Sequence, residues 1–193
     1  VRVFLSTTVA LGVLLLGCGS GNSPPEEPIL SEDRVYADLS GLDLSGLDLS
    51  GLDLSGSNLT RANLVGADLT GAELSGTIFD QADMTGATFV DANLMSASFS
   101  KSVLSEAALR GANLTSASLS DATLTGADLS GANLTGVKFW GADLTDVDLT
   151  GATLTGSLGD PGTIWPAGFN PEAAGVTILR YGHGDGSLMA YQA

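Results

Sequence analysis

The sequence is poor in cysteine, histidine, and aromatic and basic residues, and each scarcity excludes a class of structure or function. One cysteine, Cys18, cannot form an intramolecular disulfide. The single histidine is His183, and there is no Ser/His/Asp set, no clustered His and Cys and no phosphate-binding Gly loop. We therefore expect a protein that is not an enzyme and has no cofactor. Lys and Arg number 7 against 22 Asp and Glu, which argues against direct binding to nucleic acid because phosphates are bound through basic side chains.

What the sequence does contain is many small apolar residues and much acid. Hydrophobic residues make up 44% of the chain but aromatic residues only 6%, and 26 residues are glycine. The apolar side chains must therefore be small and regularly placed. The formal net charge of −15 indicates either a self-repelling surface that keeps the protein soluble or a partner with a basic patch.

The first eighteen residues are predicted to be a targeting signal rather than part of the fold. Arg2 precedes a mostly apolar run, residues 3–16, that is too short and interrupted for a membrane span of about 20 apolar residues. The run leads into the sequence LLGC (residues 15–18), which resembles a bacterial lipobox. This implies a signal peptide cut before Cys18, lipidation of Cys18, and an extracytoplasmic protein anchored to a bacterial membrane. If the cysteine is incidental, the protein is instead secreted.

Residues 19–36 are small, polar and proline-rich, begin with GSGNSPPEEP and show no period. A segment of this composition cannot bury a core and is typical of a disordered tether. We assign it as a spacer between the lipid and the part of the chain that follows.

Residues 37–156 repeat a five-residue unit 24 times without a change of register. The central residue of the unit, called the centre below, falls at Leu39 and at every fifth residue up to Leu154, and it is Leu in 19 units. Ala stands two residues before the centre in 16 units, and Asp or Asn immediately before it in 14. Ser or Thr follows the centre in 18 units and Gly comes next in 15. The consensus is Ala-(Asp/Asn)-Leu-(Ser/Thr)-Gly.

A period of five fits neither a helix, with 3.6 residues per turn, nor a flat strand, with a period of 2. If every centre is to point inward, the chain must turn a corner in each unit, where Gly and polar residues are favoured. Four right-angle corners then close a square coil of twenty residues, and the 24 units make six coils. Such coils stack through backbone hydrogen bonds at about 4.8 Å.

The consensus resembles the pentapeptide-repeat family over residues 37–156. The resemblance implies an all-β fold, a right-handed quadrilateral parallel β-helix of about six coils, followed by a C-terminal cap and tail over residues 157–193. It says almost nothing about function, because the repeated residues are the scaffold.

The first coil departs from the consensus, because Leu42, Leu47 and Leu52 stand where Ala is expected. Three bulky side chains would crowd the interior. We expect this coil to be wider, capped differently or irregular, unless the change is ordinary sequence drift.

Every fourth unit lies on the same side of the solenoid, which defines four faces. Face 1 begins at the centre Leu39, face 2 at Leu44, face 3 at Leu49 and face 4 at Leu54. Face 1 is nearly neutral, whereas faces 2 and 3 hold ten of the fifteen acids of the repeat region. The predicted partner-binding residues on these acidic faces are Asp43, Asp48, Asp68, Asp83, Asp91, Asp128, Asp143, Asp146 and Asp148.

Stacking of the coils makes further predictions. Phe79 should stack on Phe99 in the core of face 1. On face 4, Asn93, Asn113 and Asn133 stand in vertical register and are expected to stabilise the stack through their side-chain amides. Aspartates should also stack on face 3, as Asp48 over Asp68 and Asp128 over Asp148, where they repel one another. A calcium site needs six to eight converging oxygens, so we assign no metal site.

Beyond the repeats, the sequence TIWPAGFNP (residues 163–171) brings in large aromatic residues and turn formers. It resembles a Trp-Pro-x-Gly-Phe-x-Pro tail that often follows pentapeptide repeats in bacterial proteins. Ile164, Trp165 and Phe169 are expected to cover the open end of the solenoid, or else to form an end-to-end dimer contact. Residues 176–181 are predicted to form a short strand.

These features predict a non-enzymatic, lipid-anchored extracytoplasmic scaffold. Its acidic faces would be presented to a protein or envelope component with a basic patch. The alternative is a DNA mimic: some pentapeptide-repeat proteins bind DNA gyrase, a type II topoisomerase, by imitating the charge and width of duplex DNA, and so give quinolone resistance. The acidic rod fits this alternative, but the signal does not, because gyrase is cytoplasmic.

Overall fold

The computed structural model describes residues 36–181 and 188–190. The predicted signal peptide with Cys18, the tether up to residue 35, and His183 lie outside the described residues. Within residues 36–181 and 188–190, no helix has the length and apolar character needed to cross a membrane.

Residues 37–156 form the predicted right-handed quadrilateral parallel β-helix. The residue before each centre makes a parallel β-bridge with the residue twenty positions later, beginning with Asp38 and Asn58. Backbone N–H groups of the centres and of the bridging residues donate to carbonyls of the neighbouring coils at 2.7–3.1 Å. The six coils, numbered from the N-terminus, are therefore residues 37–56, 57–76, 77–96, 97–116, 117–136 and 137–156.

Each corner is a tight turn with the same backbone geometry. The residue after the corner donates its N–H to the carbonyl of the preceding centre, as Ala62 does to Leu59 at 3.0 Å. The consensus Gly position has φ between +56° and +72° in all 24 units, as the third residue of a type II turn requires. Non-glycine residues pay roughly 1–2 kcal/mol for this conformation. Nine of them adopt it nonetheless: Arg61, Gln81, Asp91, Ser96, Lys101, Glu106, Ser116, Asp121 and Asp146.

The core is one continuous cluster of buried side chains that runs along the solenoid axis, with four centres in each coil. All centres up to residue 144 are 0–3% exposed, and the corner alanines of the inner coils are equally buried. The rings of Phe79 and Phe99 stack at 5.0 Å with an interplanar angle of 9°, as predicted, and Phe89 meets Phe79 edge-on at 6.0 Å. The closely packed interior leaves room only for a small side chain at the position after each corner. This explains why the consensus has Ala there.

The first coil is regular despite its three leucines. Leu42, Leu47 and Leu52 are half-buried, pack against the core and leave the bridges to the second coil in register. Their corner hydrogen bonds are 3.3 Å long, against 3.0 Å at Ala62 and Ala67. No coil lies below them among the described residues, so their bulk is accommodated at the end of the solenoid rather than inside it.

The coil continues past residue 156, although the sequence period is lost there. Asp143 bridges Ile164, 21 positions later instead of twenty, so one residue is inserted in this turn of the chain. Gly159 and Trp165 consequently stand in the places of the next two centres. The solenoid therefore extends by two units that the consensus does not reveal.

A three-stranded sheet follows the last coil. Its strands are β1 (Leu158–Gly159), β2 (Thr177–Tyr181) and β3 (Leu188–Ala190), in the order β1-β2-β3. β1 and β2 pair in parallel and β2 and β3 antiparallel. β2 confirms the strand that the sequence predicts over residues 176–181.

Aromatic side chains close the C-terminal end of the core. The ring of Trp165 meets Phe139 at 5.3 Å and 65°, and stacks on Phe169 at 5.5 Å. A Cβ at Gly159 would lie 3.0 Å from both Trp165 and Ile178, so a glycine at this centre makes room for the aromatic cover. Ile164 does not belong to this cover, contrary to the prediction: it is 53% exposed, because a bridging residue points outward.

Candidate interaction faces

The nine aspartates predicted as a partner-binding surface fall into two structural groups. Seven stand immediately before a centre, on the flat of face 2 or face 3, where side chains point outward. Asp91 and Asp146 stand at corners. Asp128 and Asp143 are half-buried and the other seven are exposed. The structure thus places every predicted carboxylate on the surface of the solenoid.

Stacking of like charges on face 3 is as predicted. Asp48 bridges Asp68, and Asp128 bridges Asp148. The column between these two pairs is uncharged, and Arg110 lies beside it. On face 3 the aspartates are therefore divided into two groups, whereas on face 2 the exposed Glu106 lies in the coil between them. The lower patch consists of Asp43, Asp48, Asp68, Asp83 and Asp91, and the upper patch of Asp128, Asp143, Asp146 and Asp148.

The carboxylates on the flats stabilise their own turns. In each of the seven, Oδ1 accepts the backbone N–H of the residue two positions later, at 2.8–3.2 Å. Four of them also accept a hydroxyl hydrogen bond from Ser45, Ser50, Thr85 or Thr145 at 2.6–2.7 Å. This is the Asx-turn chemistry that Asp and Asn share. The Asp/Asn and Ser/Thr positions of the consensus are thus a hydrogen-bonded pair, which sequence reasoning missed although their spacing of two residues carries the signal.

Hydrogen bonds favour the charged form of three aspartates on the acidic faces. The pKa values of Asp43, Asp143 and Asp148 lie below the ordinary value of 3.8, because first the hydroxyl and secondly the backbone N–H of Ser45, Thr145 and Thr150, respectively, favour the ionised carboxylate. Asp38 on face 1 is lowered in the same way by Ser40. The negative charge of these groups is therefore present at any physiological pH.

The corner aspartates contact the coil above them. A Cβ at Gly111 would clash with the carboxylate of Asp91, and one at Gly141 with the carboxylate of Asp121. Asp91 and Asp121 both have φ of 56°. Glycine at these two corners therefore provides room for the acid of the coil below, in addition to favouring the turn.

The asparagine side chains on face 4 do not form the continuous ladder of hydrogen bonds between coils that the sequence predicts. Asn93, Asn113 and Asn133 stand in register as expected. Asn93 donates its amide to Glu73 at 2.8 Å, but the carbonyls of Asn113 and Asn133 accept hydrogen bonds from the threonine of their own unit. Their side-chain hydrogen bonds thus stabilise the turn more than the stack.

A feature of face 1 was not anticipated. Lys138 places its Nζ 5.5 Å from the centroid of the Trp140 ring, and the Nε1 of Trp140 is buried without a hydrogen-bond partner in the described residues. Trp140 replaces the consensus Ser or Thr, which is the only sequence signal of this contact.

The arrangement of the acids determines what they can do chemically. In the part of the chain that the structure describes, no three His, Cys, Asp or Glu side chains are grouped so as to hold a metal ion. The carboxylates stand in columns on flat faces instead of converging. Their collective effect is a negative field on two adjacent sides of a rigid body, which acts on a charged partner over a distance of about one Debye length, ~8–10 Å.

The family follows from the repeats themselves. A family profile described as pentapeptide repeats matches eight copies, over residues 37–76, 62–100, 92–131, 102–141 and 127–157. These matches cover more than half of the chain. The chain belongs to the pentapeptide-repeat family. Such proteins are generally structural or interaction modules rather than enzymes.

Solved structures of other pentapeptide-repeat proteins are similar to this chain. A trypsin-treated variant of QnrB1, a plasmid-mediated fluoroquinolone resistance protein, is 22% identical, with a TM-score of 0.48, over 72% of this chain and 84% of that one. A protein of the Arabidopsis thaliana thylakoid lumen is 35% identical over 63% of each chain, with a TM-score of 0.30. HetL of Nostoc, involved in heterocyst differentiation regulation, is 28% identical over 63% of this chain and 82% of its own, with a TM-score of 0.20. No curated protein matches the sequence.

Proposed function

We propose that this pentapeptide-repeat protein is a lipid-anchored extracytoplasmic scaffold that binds a protein or envelope component with a basic patch. The observation that supports binding is the pair of ionised patches on faces 2 and 3, where nine aspartates meet only one basic side chain, Arg110. The observation that supports anchoring is the LLGC sequence ending at Cys18.

The shape of the solenoid suits such a role. Parallel β-coils hold the carboxylates at a fixed spacing of about 4.8 Å along each face. A partner with lysines or arginines on a flat surface would meet a preorganised array and lose little entropy on the scaffold's side. Charge of this kind accelerates and orients the encounter more than it strengthens the final complex.

The binding part of the proposal is tested with a charge-removing variant that keeps the turns intact. Asn accepts the same turn hydrogen bond as Asp and occurs naturally at Asn58, Asn63 and Asn133. The face variant replaces four acids on face 3 by Asn: Asp48, Asp68, Asp128 and Asp148. The matched control replaces four acids elsewhere by Asn: Asp38, Asp53, Asp80 and Asp121.

Both variants are made in a Cys18→Ser background and mixed with bacterial envelope fractions, so that no lipid contributes. We expect co-sedimentation of the parent and of the control at low salt, release of both at high salt, and little co-sedimentation of the face variant. Equal co-sedimentation of the face variant and the control would refute binding through face 3.

Anchoring is tested separately in cells. With Cys18 intact, a labelled fatty acid should be incorporated and the protein should sediment with membranes; Cys18→Ser should abolish both. Recovery of the parent protein in the soluble fraction without label would exclude the anchor, whatever the result for the faces.

A second candidate function is DNA mimicry towards gyrase, which the rows of carboxylates along a narrow rod favour. The likeness to QnrB1 shows the fold alone. An in vitro supercoiling assay with the purified repeat and tail, residues 37–193, distinguishes the candidates. Inhibition of gyrase, lost in the face 3 variant and kept in its control, would establish the mimic; the scaffold proposal expects no effect on supercoiling.

A further inference from the structure

We infer that face 1 is a self-association surface, through which two copies of the chain pack antiparallel to each other. The copies are related by a twofold axis that crosses face 1 between the fourth and fifth coils. Face 1 lies on the side of the solenoid opposite face 3, so the inference is independent of the binding and the anchoring proposed above.

Face 1 carries one charged residue per coil, and the sign of the charge alternates from each coil to the next. From the N-terminus these residues are Asp38, Arg61, Asp80, Lys101, Asp121, Lys138 and, in the unit that follows the sixth coil, Asp160. Asp80 and Asp160 are half-buried and the other five are exposed. Faces 2 and 3 are chiefly acidic instead, and face 4 has no basic residue in its six units.

Two of the basic side chains on face 1 contact uncharged neighbours in their own chain. Arg61 donates its Nε to the Oε1 of Gln81 at 3.0 Å, and the Nζ of Lys138 lies 5.5 Å from the centroid of the Trp140 ring. Their positive charges can therefore attract carboxylates of a second molecule.

An antiparallel arrangement matches the alternating charges, whereas a parallel one does not. In a parallel pair of faces each coil meets its own copy, so every charge meets one of the same sign. About the proposed axis, the fourth coil meets the fifth, the third meets the sixth, and the second meets the unit after the sixth. The residues brought together are Lys101 with Asp121, Lys138 with Asp80, and Arg61 with Asp160. Because the interface is isologous, each of these pairings of opposite charge occurs twice.

The uncharged side chains of face 1 favour the same position of the axis. Its middle is formed by four half-buried serines: Ser98, Ser100, Ser118 and Ser120. Ile78, which is 39% exposed, and Trp140 lie in the coils on either side of these serines. In the dimer Ile78 of one copy therefore lies opposite the coil that holds Trp140 in the other. Small and apolar side chains at the centre with charges around them are typical of a protein interface.

Other positions of the axis are less favourable. A shift by one coil places like charges opposite each other throughout. A shift by two coils restores opposite charges but removes the contact between the coils of Ile78 and Trp140. The position between the fourth and fifth coils meets both conditions.

The dimer should be weak. The net charge of each chain is −15, although at ~0.1 M salt a Debye length of about 10 Å screens much of the repulsion from acids on face 3. The contact is also small: five steps of about 4.8 Å give a length of roughly 24 Å. Since interfaces at the low end of the size range belong to transient complexes, we expect a Kd of about 10–100 μM.

Sedimentation equilibrium of the full chain, with Cys18→Ser to prevent lipidation, tests the inference over about 1 to 300 μM protein. Lys101→Asp and, separately, Lys138→Asp should each raise the dimer Kd at least about tenfold, because like charges then oppose each other. Both variants should fold: Asp occupies the same corner position at Asp121, and Asp is the consensus residue at position 138.

Two further variants complete the test. Lys101→Asp combined with Asp121→Lys should restore the dimer, because the exchange keeps opposite charges together only about the proposed axis. Arg110→Asp is the matched control, since it reverses a basic residue on face 3, and it should leave the Kd unchanged. Thermal unfolding of each variant checks that it is folded.

A monomer at all concentrations would overturn the inference. A dimer that persists in Lys101→Asp and Lys138→Asp would do the same, because the contact would then lie elsewhere, such as end to end through the C-terminal tail. Loss of the dimer in Lys101→Asp without recovery in the exchanged variant would exclude this axis. None of these outcomes bears on anchoring or on faces 2 and 3, which are tested independently.

Discussion

At the scale of the residue, two positions of the unit carry the geometry. The residue before the centre closes a hydrogen-bonded turn when it is Asp or Asn, as in Asp143, whose Oδ1 accepts from both the backbone and the hydroxyl of Thr145. The corner residue takes a left-handed conformation whatever its identity, as at Gln81 with φ of 60°. Local hydrogen bonds thus stabilise the corner. Where the corner residue is not glycine, the stacking of the coils holds it in the left-handed conformation.

Acid should destabilise the protein through Asp43, whose pKa is lowered mainly by the Ser45 hydroxyl. The hydrogen bonds favour the ionised carboxylate, so this contribution is complete above pH 3.8, the ordinary value, and is lost as the pH falls below it through the folded-state pKa. The difference in melting temperature between the protein and Asp43→Asn should shrink between pH 6 and pH 2. A difference that stays constant over that range would contradict the assignment.

A second prediction isolates the backbone strain of the corner. Gly131 has φ of 67°, and an added Cβ would meet no atom within 4 Å. Gly131→Ala should therefore cost only the left-handed conformation, about 1–2 kcal/mol of unfolding free energy by denaturant titration. Ser130→Ala, its neighbour, is the control and should cost less than about 0.5 kcal/mol. A neutral Gly131→Ala would mean that this corner can relax.

At the scale of the element, the two ends of the solenoid differ from its middle. The C-terminal end accommodates a glycine at the centre Gly159, an inserted residue and the ring of Trp165. The N-terminal end accommodates bulky leucines that an inner coil would exclude. Within residues 36–181, both departures from the consensus occur where a coil has a neighbouring coil on only one side, which relaxes the limit on side-chain volume.

The aromatic cover is tested by a pair of nearby substitutions. Trp165 is half-buried between Phe139 and Phe169, whereas Ile164 is 53% exposed. Trp165→Ala should lower the unfolding free energy by roughly 2–4 kcal/mol, because it removes a large side chain from the end of the core. Ile164→Ala should change it by no more than about 0.5 kcal/mol. Similar effects of the two substitutions would show that Trp165 does not close the core.

At the scale of the whole molecule, charge is distributed by the four-fold geometry. Ten of the fifteen acids of the repeat region lie on two adjacent faces, and on face 3 four of them form stacked pairs. The coils tolerate this repulsion because each carboxylate is also held in its own turn. The long columns of backbone hydrogen bonds then keep the faces flat and rigid.

Stability should accordingly rise with ionic strength. Salt screens the repulsion of Asp48 with Asp68 and of Asp128 with Asp148, each of roughly 0.2–1 kcal/mol at low salt. The melting temperature measured by calorimetry should increase between ~0.01 M and ~0.5 M NaCl. Asp48→Asn with Asp128→Asn should reduce this increase, while Asp38→Asn with Asp53→Asn should change it less. A melting temperature independent of salt in all three proteins would argue that the stacked pairs cost nothing.

The sequence by itself determined the architecture of the middle of this molecule. A period of five held over 24 units permits one solution, a square coil, and simple counting then places every acid on its face. This works because each unit contacts only copies of itself, so local and tertiary patterns coincide. The stacked Phe79 and Phe99 and the paired Asp48 and Asp68 were predictable for the same reason.

Only the tertiary structure decided what happens where that periodicity fails. The outward position of Ile164, the place of Gly159 beneath Trp165 and the pairing of β1 with β2 depend on contacts between residues that no longer repeat. The hydrogen-bond partners of the Asp and Asn side chains also came from the structure alone. The consensus is compatible both with a hydrogen bond to the next coil and with one inside the turn. A repeat specifies where each side chain lies. Which group that side chain hydrogen-bonds depends on differences of a few tenths of an ångström in the distance between donor and acceptor.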